Sequence, residues 1–236
     1  MCGVHEALTR RDALRAAAGL GAASILGASF VSPLHAATPT HAPTFRTPTE
    51  ALDALYRGNA RFANGNITAP HRNMQRLKEV AAGQQPFAAF LGCADSRVPV
   101  EIVFDQGFGD VFVTRIAGNV ADPAIIGSLE FGVEVLGAQV LFVLGHSKCG
   151  AVSATLKGDA VPGQISTLYQ HIRRAAKESN GNLDVAIRRN VELQAEILSE
   201  ASPVLAKRIA DGRLLVAGGV YELETGKVTP VPLPAR

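Results

Sequence analysis

Two short segments hold residue types that bind metals and move protons. The first, Gly92-Cys93-Ala94-Asp95-Ser96-Arg97, sets a thiol, a carboxyl and a guanidinium at alternate positions. The second, Gly145-His146-Ser147-Lys148-Cys149-Gly150, spaces an imidazole and a thiol so that a turn entering a helix can present both to one ion. Two thiolates and an imidazole form a borderline-soft donor set that suits Zn²⁺ in tetrahedral geometry. The fourth coordination position decides the chemistry. Asp95 in that position closes the site, whereas water there lets the ion generate hydroxide. The other use for such a cysteine pair is a disulfide, which an oxidising compartment would permit.

Both segments follow short apolar runs, Phe87 to Leu91 and Val140 to Leu144, and two more such runs occur at Val111 to Ile116 and Leu214 to Ala217. Runs of this length, apolar on both faces and bounded by Gly, predict strands covered by helices on both sides. Helical periodicity fills the intervals. Thr47-Pro48-Thr49-Glu50 reads as a capping box opening a helix with Leu52, Leu55, Tyr56 and Phe62 on one face. A second helix carries Met74, Leu77 and Val80 as far as Gly83, and Asp122-Pro123 opens a third with Ile125, Ile126, Leu129, Val133 and Leu136 inside. Further helices are predicted from Gly150 to Lys157, Gln164 to Glu178, Asn182 to Ser199 and Ser202-Pro203 to Asp211. The 182 to 199 helix reads as an amphipathic surface helix with Val185, Val191 and Ile197 inward. Glu224-Thr225-Gly226-Lys227 predicts a hairpin turn into an edge strand. The alternation predicts an α/β fold: a mainly parallel central sheet flanked by helices, with an N-terminal helical arm and a C-terminal edge strand. Sites in such sheets form beyond the carboxyl ends of the strands, where both segments fall.

Composition narrows the class. With 236 residues, 47% hydrophobic and 19% charged, the chain can bury a full core and is not disordered. A net charge of +2, with no basic run, argues against a nucleic-acid partner. Residues 1–37 read as a cleaved leader: Arg10-Arg11, an apolar stretch from Ala16 to Val31, and a small-residue end at His35-Ala36-Ala37. The stretch is shorter than the roughly 20 residues that span a bilayer, so no stable membrane association is expected after cleavage. The paired arginines resemble a twin-arginine signal, which exports folded protein and predicts a periplasmic product. Cleavage removes Cys2 and leaves Cys93 and Cys149. Residues 38–46 read as a linker or arm, and 47–236 as a single domain.

GCADSRVP (92 to 99) together with GHSKCGAV (145 to 152) resembles the β-class carbonic anhydrase family, whose signature is C-x-D-x-R followed later by H-x-x-C. The resemblance extends through VFVTRIAGNV (111 to 120), SLEFGVEVLGAQVLFVLGHSKCGA (128 to 151) and LLVAGGVYELETGKV (214 to 228). It implies one Zn²⁺ per chain on Cys93, His146 and Cys149, with Asp95 as the fourth ligand in a closed, inactive form. It also implies that Arg97 holds Asp95 away from the metal in the active form. Gln84 matches a pocket glutamine contributed by a neighbouring subunit, Phe112 an apolar wall residue, and the Gly150 N–H a donor to bound acid or bicarbonate. A subgroup of the family places Trp three residues before the first Cys, in a regulatory bicarbonate site. This chain has Phe90 there and no Trp, although Arg115 matches another residue of that site.

The implied activity is zinc-dependent, reversible hydration of carbon dioxide to bicarbonate and a proton, a lyase reaction. Zinc-bound hydroxide, oriented by a hydrogen bond to Asp95, would attack CO₂. The alternatives are hydrolysis of carbon disulfide or carbonyl sulfide on the same fold, and a zinc-binding protein without turnover. The family also implies self-association as a dimer or tetramer.

Overall fold

In the computed structural model, residues 44–234 are described. The proposed leader at 1–37, and the start of the 38–46 segment, lie outside them. Where that segment comes into view it is anchored: the Phe45 ring meets Phe87 at 4.8 Å and its carbonyl accepts from Gln139 Nε2 at 3.3 Å.

Helix α1 (Pro48–Ala63) starts where the capping signal places it, with the Thr47 hydroxyl accepting from the Glu50 N–H. The Glu50 carboxylate reaches one residue further back than the standard box, to the Arg46 N–H. Helix α2 (Met74–Val80) departs from expectation. Its apolar residues Met74 and Leu77 face solvent, and the residue it buries is Arg76, which donates to Phe108 O and lies 3.7 Å from the buried Asp110 carboxylate.

Strands β1 (Ala88–Gly92), β2 (Val111–Arg115), β3 (Val140–His146), β4 (Leu215–Tyr221) and β5 (Val228–Val231) form one sheet in the order β2-β1-β3-β4-β5. The first four are parallel and β5 pairs antiparallel with β4, as the hairpin signal predicts. β2 is an edge and only half-buried.

Alternation along the central strands divides the core. Ala88, Phe90, Val140, Phe142 and Leu144 join α1 residues Ala51 and Leu55 on one face, with the short helix α3 (Val100–Val103). Ala89, Leu91, Leu141 and Val143 meet α4 (Pro123–Glu130), α7 (Leu183–Ala201) and α8 (Pro203–Ala210) on the other. Asp122 caps α4, Asn182 caps α7 and Ser202 caps α8, each accepting from an N–H three residues on. After Glu130 the α4 path widens into a π turn over residues 131–135. Helices α5 (Gly150–Lys157) and α6 (Ser166–Glu178) close the carboxyl end of the sheet around Cys93 and Cys149.

Helix α7 also differs from the amphipathic surface helix expected. It buries nine residues, among them Asn190 and Gln194, while Val185 is exposed. Phe90, standing where the family subgroup has Trp, is core: its ring packs on Phe104 at 5.0 Å and Phe142 at 5.4 Å.

The arm is tied to the domain through Asp105, a fully buried carboxylate with a left-handed backbone. Burial pushes its pKa up, but donation from Arg61 Nε, the Thr68 N–H and hydroxyl and the Ala69 N–H overcomes this and holds it at about 2, below the ordinary 3.8. A folded-state pKa below the unfolded one adds stability above the unfolded value and loses it as pH falls toward the folded value. Asp105→Asn is therefore expected to cost about 2 kcal/mol at neutral pH. In urea titrations the gap to the parent protein should narrow between pH 5 and pH 3; a gap that stays constant would show that ionisation is not its source.

Candidate metal centre

The sheet order sets the location. The chain leaves β1 toward β2 on one side and returns as β3 on the other, so the carboxyl ends of β1 and β3 flank the topological switch point. The parallel register pairs Gly92 with Leu144, which brings Cys93, just past β1, beside the end of β3. His146 is the last residue of β3, and Cys149 stands at the N-cap of α5. All three side chains are buried, with their donor atoms within 4.8 Å of one another.

His146 is committed to one tautomer. Nδ1 lies 3.0 Å from Ser147 O, which can only accept, so Nδ1 carries the proton and Nε2 keeps a lone pair. That Nε2 is buried without a partner. Between the two ligands Lys148 takes a left-handed φ of 56°, unusual for a residue with a long side chain. The hairpin after β4 secures this turn. The Ser147 hydroxyl donates to Glu222 Oε1 at 2.6 Å and accepts from the Leu223 N–H at 3.1 Å, and Lys148 pairs with Glu224.

The two thiols are coupled and sit on free N–H groups. The Cys149 thiol donates to Cys93 and lowers its pKa; burial opposes this, while the N–H groups of Gly118 and Asp95 assist. Donating to Cys93, together with burial and the charge on Cys93, raises Cys149, against the N–H groups of Val152 and Ala151 in the first turn of α5. The pair therefore releases one proton readily and resists losing the second. A buried dithiol short of a positive charge, next to an orphaned imidazole lone pair, is the donor set that Zn²⁺ satisfies. The cysteines are free rather than bridged.

Asp95 and Arg97 form a two-pronged ion pair beside this group. Arg97 Nε donates to Oδ1 at 2.9 Å and Nη2 to Oδ2 at 2.8 Å, while the Arg97 backbone N–H also reaches Oδ1 at 2.9 Å. The guanidinium holds the Asp95 carboxyl far below the usual carboxylate range. Asp95 Oδ2 is 3.9 Å from His146 Nε2. Arg115 braces the loop from below, donating to Cys93 O at 2.9 Å and Asp95 O at 2.6 Å.

Gly150 opens α5 directly after Cys149 and is exposed at the site. Within one chain Gln84 and Phe112 are not brought there. Gln84 is exposed ahead of the amino end of β1, at the opposite end of that strand from Cys93. Phe112 is level with Ala89 and packs on Phe131 and Gly132. Three residues in contact with the site, Gly118, Ser147 and Glu222, lie in the segments that carry the family resemblance but were not read as site residues. Their roles come from pairings with residues far along the chain, Gly118 with Cys93 and Ser147 with Glu222.

Residues 88–228 match the family model for carbonic anhydrase. The chain is similar to carbonic anhydrase 2 of Mycobacterium tuberculosis, 39% identical over 188 residues that cover 76% of this chain and 91% of that protein. It is 36% identical to a carbonic anhydrase of Mycolicibacterium smegmatis, covering 77% and 92% of the two chains. Among solved structures it resembles the Coccomyxa β-carbonic anhydrase in complex with acetazolamide, with 28% identity, a TM-score of 0.59 and coverage of 79% and 87%. It also resembles a tetrameric β-carbonic anhydrase of Sordaria macrospora, with 25% identity, a TM-score of 0.63 and coverage of 80% and 98%. With its Cys93–His146–Cys149 group at the carboxyl end of a parallel sheet and a family match over most of the described residues, this chain belongs to the β-carbonic anhydrase family.

Proposed function

We propose that this protein catalyses the reversible hydration of carbon dioxide to bicarbonate and a proton. The observation that carries the reading is the buried Cys93–His146–Cys149 group beside an Asp95 carboxylate held on both oxygens by Arg97. Cys93, His146 and Cys149 would hold zinc, which supplies the Lewis acidity that makes water a nucleophile near neutral pH.

The protein's own groups do the rest. Asp95, kept ionised by Arg97, can only accept hydrogen bonds. With Oδ2 turned toward His146 Nε2, it orients a nucleophile by its O–H and leaves an oxygen lone pair free for attack. Because Arg97 engages both carboxylate oxygens, Asp95 is directed toward that orienting role and away from coordination. Gly150 N–H, a first-turn donor with no acceptor inside its helix, would bind an oxygen of the product. A merely structural zinc site has no need of the Asp95–Arg97 fork.

Gln84 and Phe112 would act on a neighbouring subunit's site, since each lies away from its own. Self-association is supported by the half-buried edge strand β2 and by the exposed Met74, Leu77, Ile102 and Phe108. The Sordaria relative is described as tetrameric. The segment 47–236 acts as a single catalytic domain, and residues 1–37, with Arg10-Arg11 ahead of an apolar stretch, direct twin-arginine export to the periplasm followed by cleavage. Among the described residues no helix is long and apolar enough to cross a membrane.

Cys93→Ser is expected to lose zinc and CO₂ hydration together. Asp95→Asn, which keeps the shape but not the acceptor-only charge, should retain about one zinc per chain and lose roughly 10²-fold or more in rate. Stopped-flow hydration with zinc quantified in the same samples tests both, and full activity in Asp95→Asn would sink the mechanism. Export has its own test: replacing Arg10 and Arg11 by Lys should leave uncleaved protein in the cytoplasm, and an unchanged periplasmic yield would reject the twin-arginine route.

A further inference from the structure

The loop leading from β2 to α4 carries Gly118, whose N–H donates to Cys93 Sγ at 3.3 Å. Helix α7 holds that loop. Asn190, buried on α7, donates from Nδ2 to Gly118 O at 2.9 Å. Gln194, one turn further and fully buried, donates from Nε2 to Asn190 Oδ1 at 3.2 Å and to His171 O at 3.2 Å. Its Oε1 accepts the Ala121 N–H at 2.8 Å. Neither amide can be turned over without loss. Gly118 O only accepts and Ala121 N–H only donates, so each side chain has one workable orientation and the two fix each other. From the other side the loop is limited by packing: φ at Gly118 is +77°, and a Cβ there would lie 2.6 Å from Ile172 Cδ1.

The surrounding surface of α7 is apolar, with Ile187, Val191 and Leu198 buried. Two amides on such a face cost desolvation unless every donor and acceptor is used, and here the use made of them ends at a metal ligand. We propose that Asn190 and Gln194 are positioning residues for the metal centre, setting the Gly118 N–H···S bond and thereby the electron donation of the Cys93 thiolate to zinc. The inference rests on the assignment of Cys93 as a zinc ligand. A hydrogen bond to a thiolate lowers the energy of its sulfur lone pairs, as outer partners of metal ligands do generally.

The test replaces zinc by Co²⁺ in the full protein and reads the thiolate-to-cobalt charge-transfer band, with zinc release to a chelator as a second readout. Asn190→Leu removes the donor to Gly118 O. Gln194→Glu keeps the acceptor for Ala121 N–H and the volume, but turns the Asn190 amide by removing the donor to its Oδ1, and it carries the test if Asn190→Leu does not fold. Leu198→Ala loosens the same helix without touching the loop. The expected result is a band moved to lower energy and zinc lost about tenfold faster in the two amide variants, with both readouts unchanged in Leu198→Ala. Cobalt-loaded, folded amide variants whose band stays at the parent energy would overturn the proposal, as would an equal shift in Leu198→Ala. Failure of the parent protein to bind cobalt through thiolate would instead overturn the metal assignment.

Discussion

Two thiols and an imidazole buried within 4.8 Å of one another pose a charge problem that the rest of the site is built to manage. Without a cation the first thiol ionises easily and opposes ionisation of the second, and the imidazole lone pair has no hydrogen to accept. The backbone answers part of this. The Gly118 N–H donates to Cys93 Sγ at 3.3 Å, and the N–H groups of Ala151 and Val152, in the first turn of α5, favour the Cys149 thiolate. None of these supplies a full positive charge. A divalent ion does, and it is the partner for which the tautomer of His146, the left-handed Lys148 and the Ser147–Glu222 latch are arranged.

That same requirement makes Asp95 a hazard. A carboxylate oxygen 3.9 Å from the imidazole nitrogen is close enough to compete for the ion, and an anion is what a cation attracts most. Arg97 counters by offering both carboxylate oxygens a directional hydrogen bond, which a point charge cannot match in geometry. The contest is local, because Arg97 is two residues from Asp95 on one loop, and so it depends on that loop being rigid. Arg115 provides the rigidity by gripping two of its carbonyls. Arg115, matched by resemblance alone to a residue of a regulatory bicarbonate site, is here engaged in holding the loop that carries Cys93 and Asp95.

Much of this was legible in the sequence because it is written locally. The strands, the two ligand segments and the caps at Thr47, Asp122, Asn182 and Ser202 each depend on residues within one turn of each other; the caps stand as read, while β3 and β4 run past their expected ends at Leu144 and Ala217 to His146 and Tyr221. Helix α2 was misread for the opposite reason. Its apolar spacing was genuine, but which face turns inward was decided by Asp110 and the Phe108 carbonyl, about thirty residues away, which gave Arg76 a buried berth. Helix α7 was misread because Val185, Val191 and Ile197, six residues apart, do not share one helical face: Val185 is exposed, and nothing in their spacing shows that the polar Asn190 and Gln194 are buried.

What lets α7 come so near is glycine on the sheet beneath it. A Cβ at Gly145 would lie 2.6 Å from Val191, and one at Gly218 would lie 2.7 Å from the same side chain, so at these two positions the helix rests almost on bare backbone. Gly145 immediately precedes His146, and Gly218 pairs with Val143 on the neighbouring strand. The close approach brings the amides of α7 within reach of the loop that touches Cys93, and no larger residue at either glycine would leave the helix there. The glycine before the histidine thus serves the metal centre indirectly. It contributes no ligand and no turn; it removes a side chain so that a polar helix face can reach across to the first cysteine.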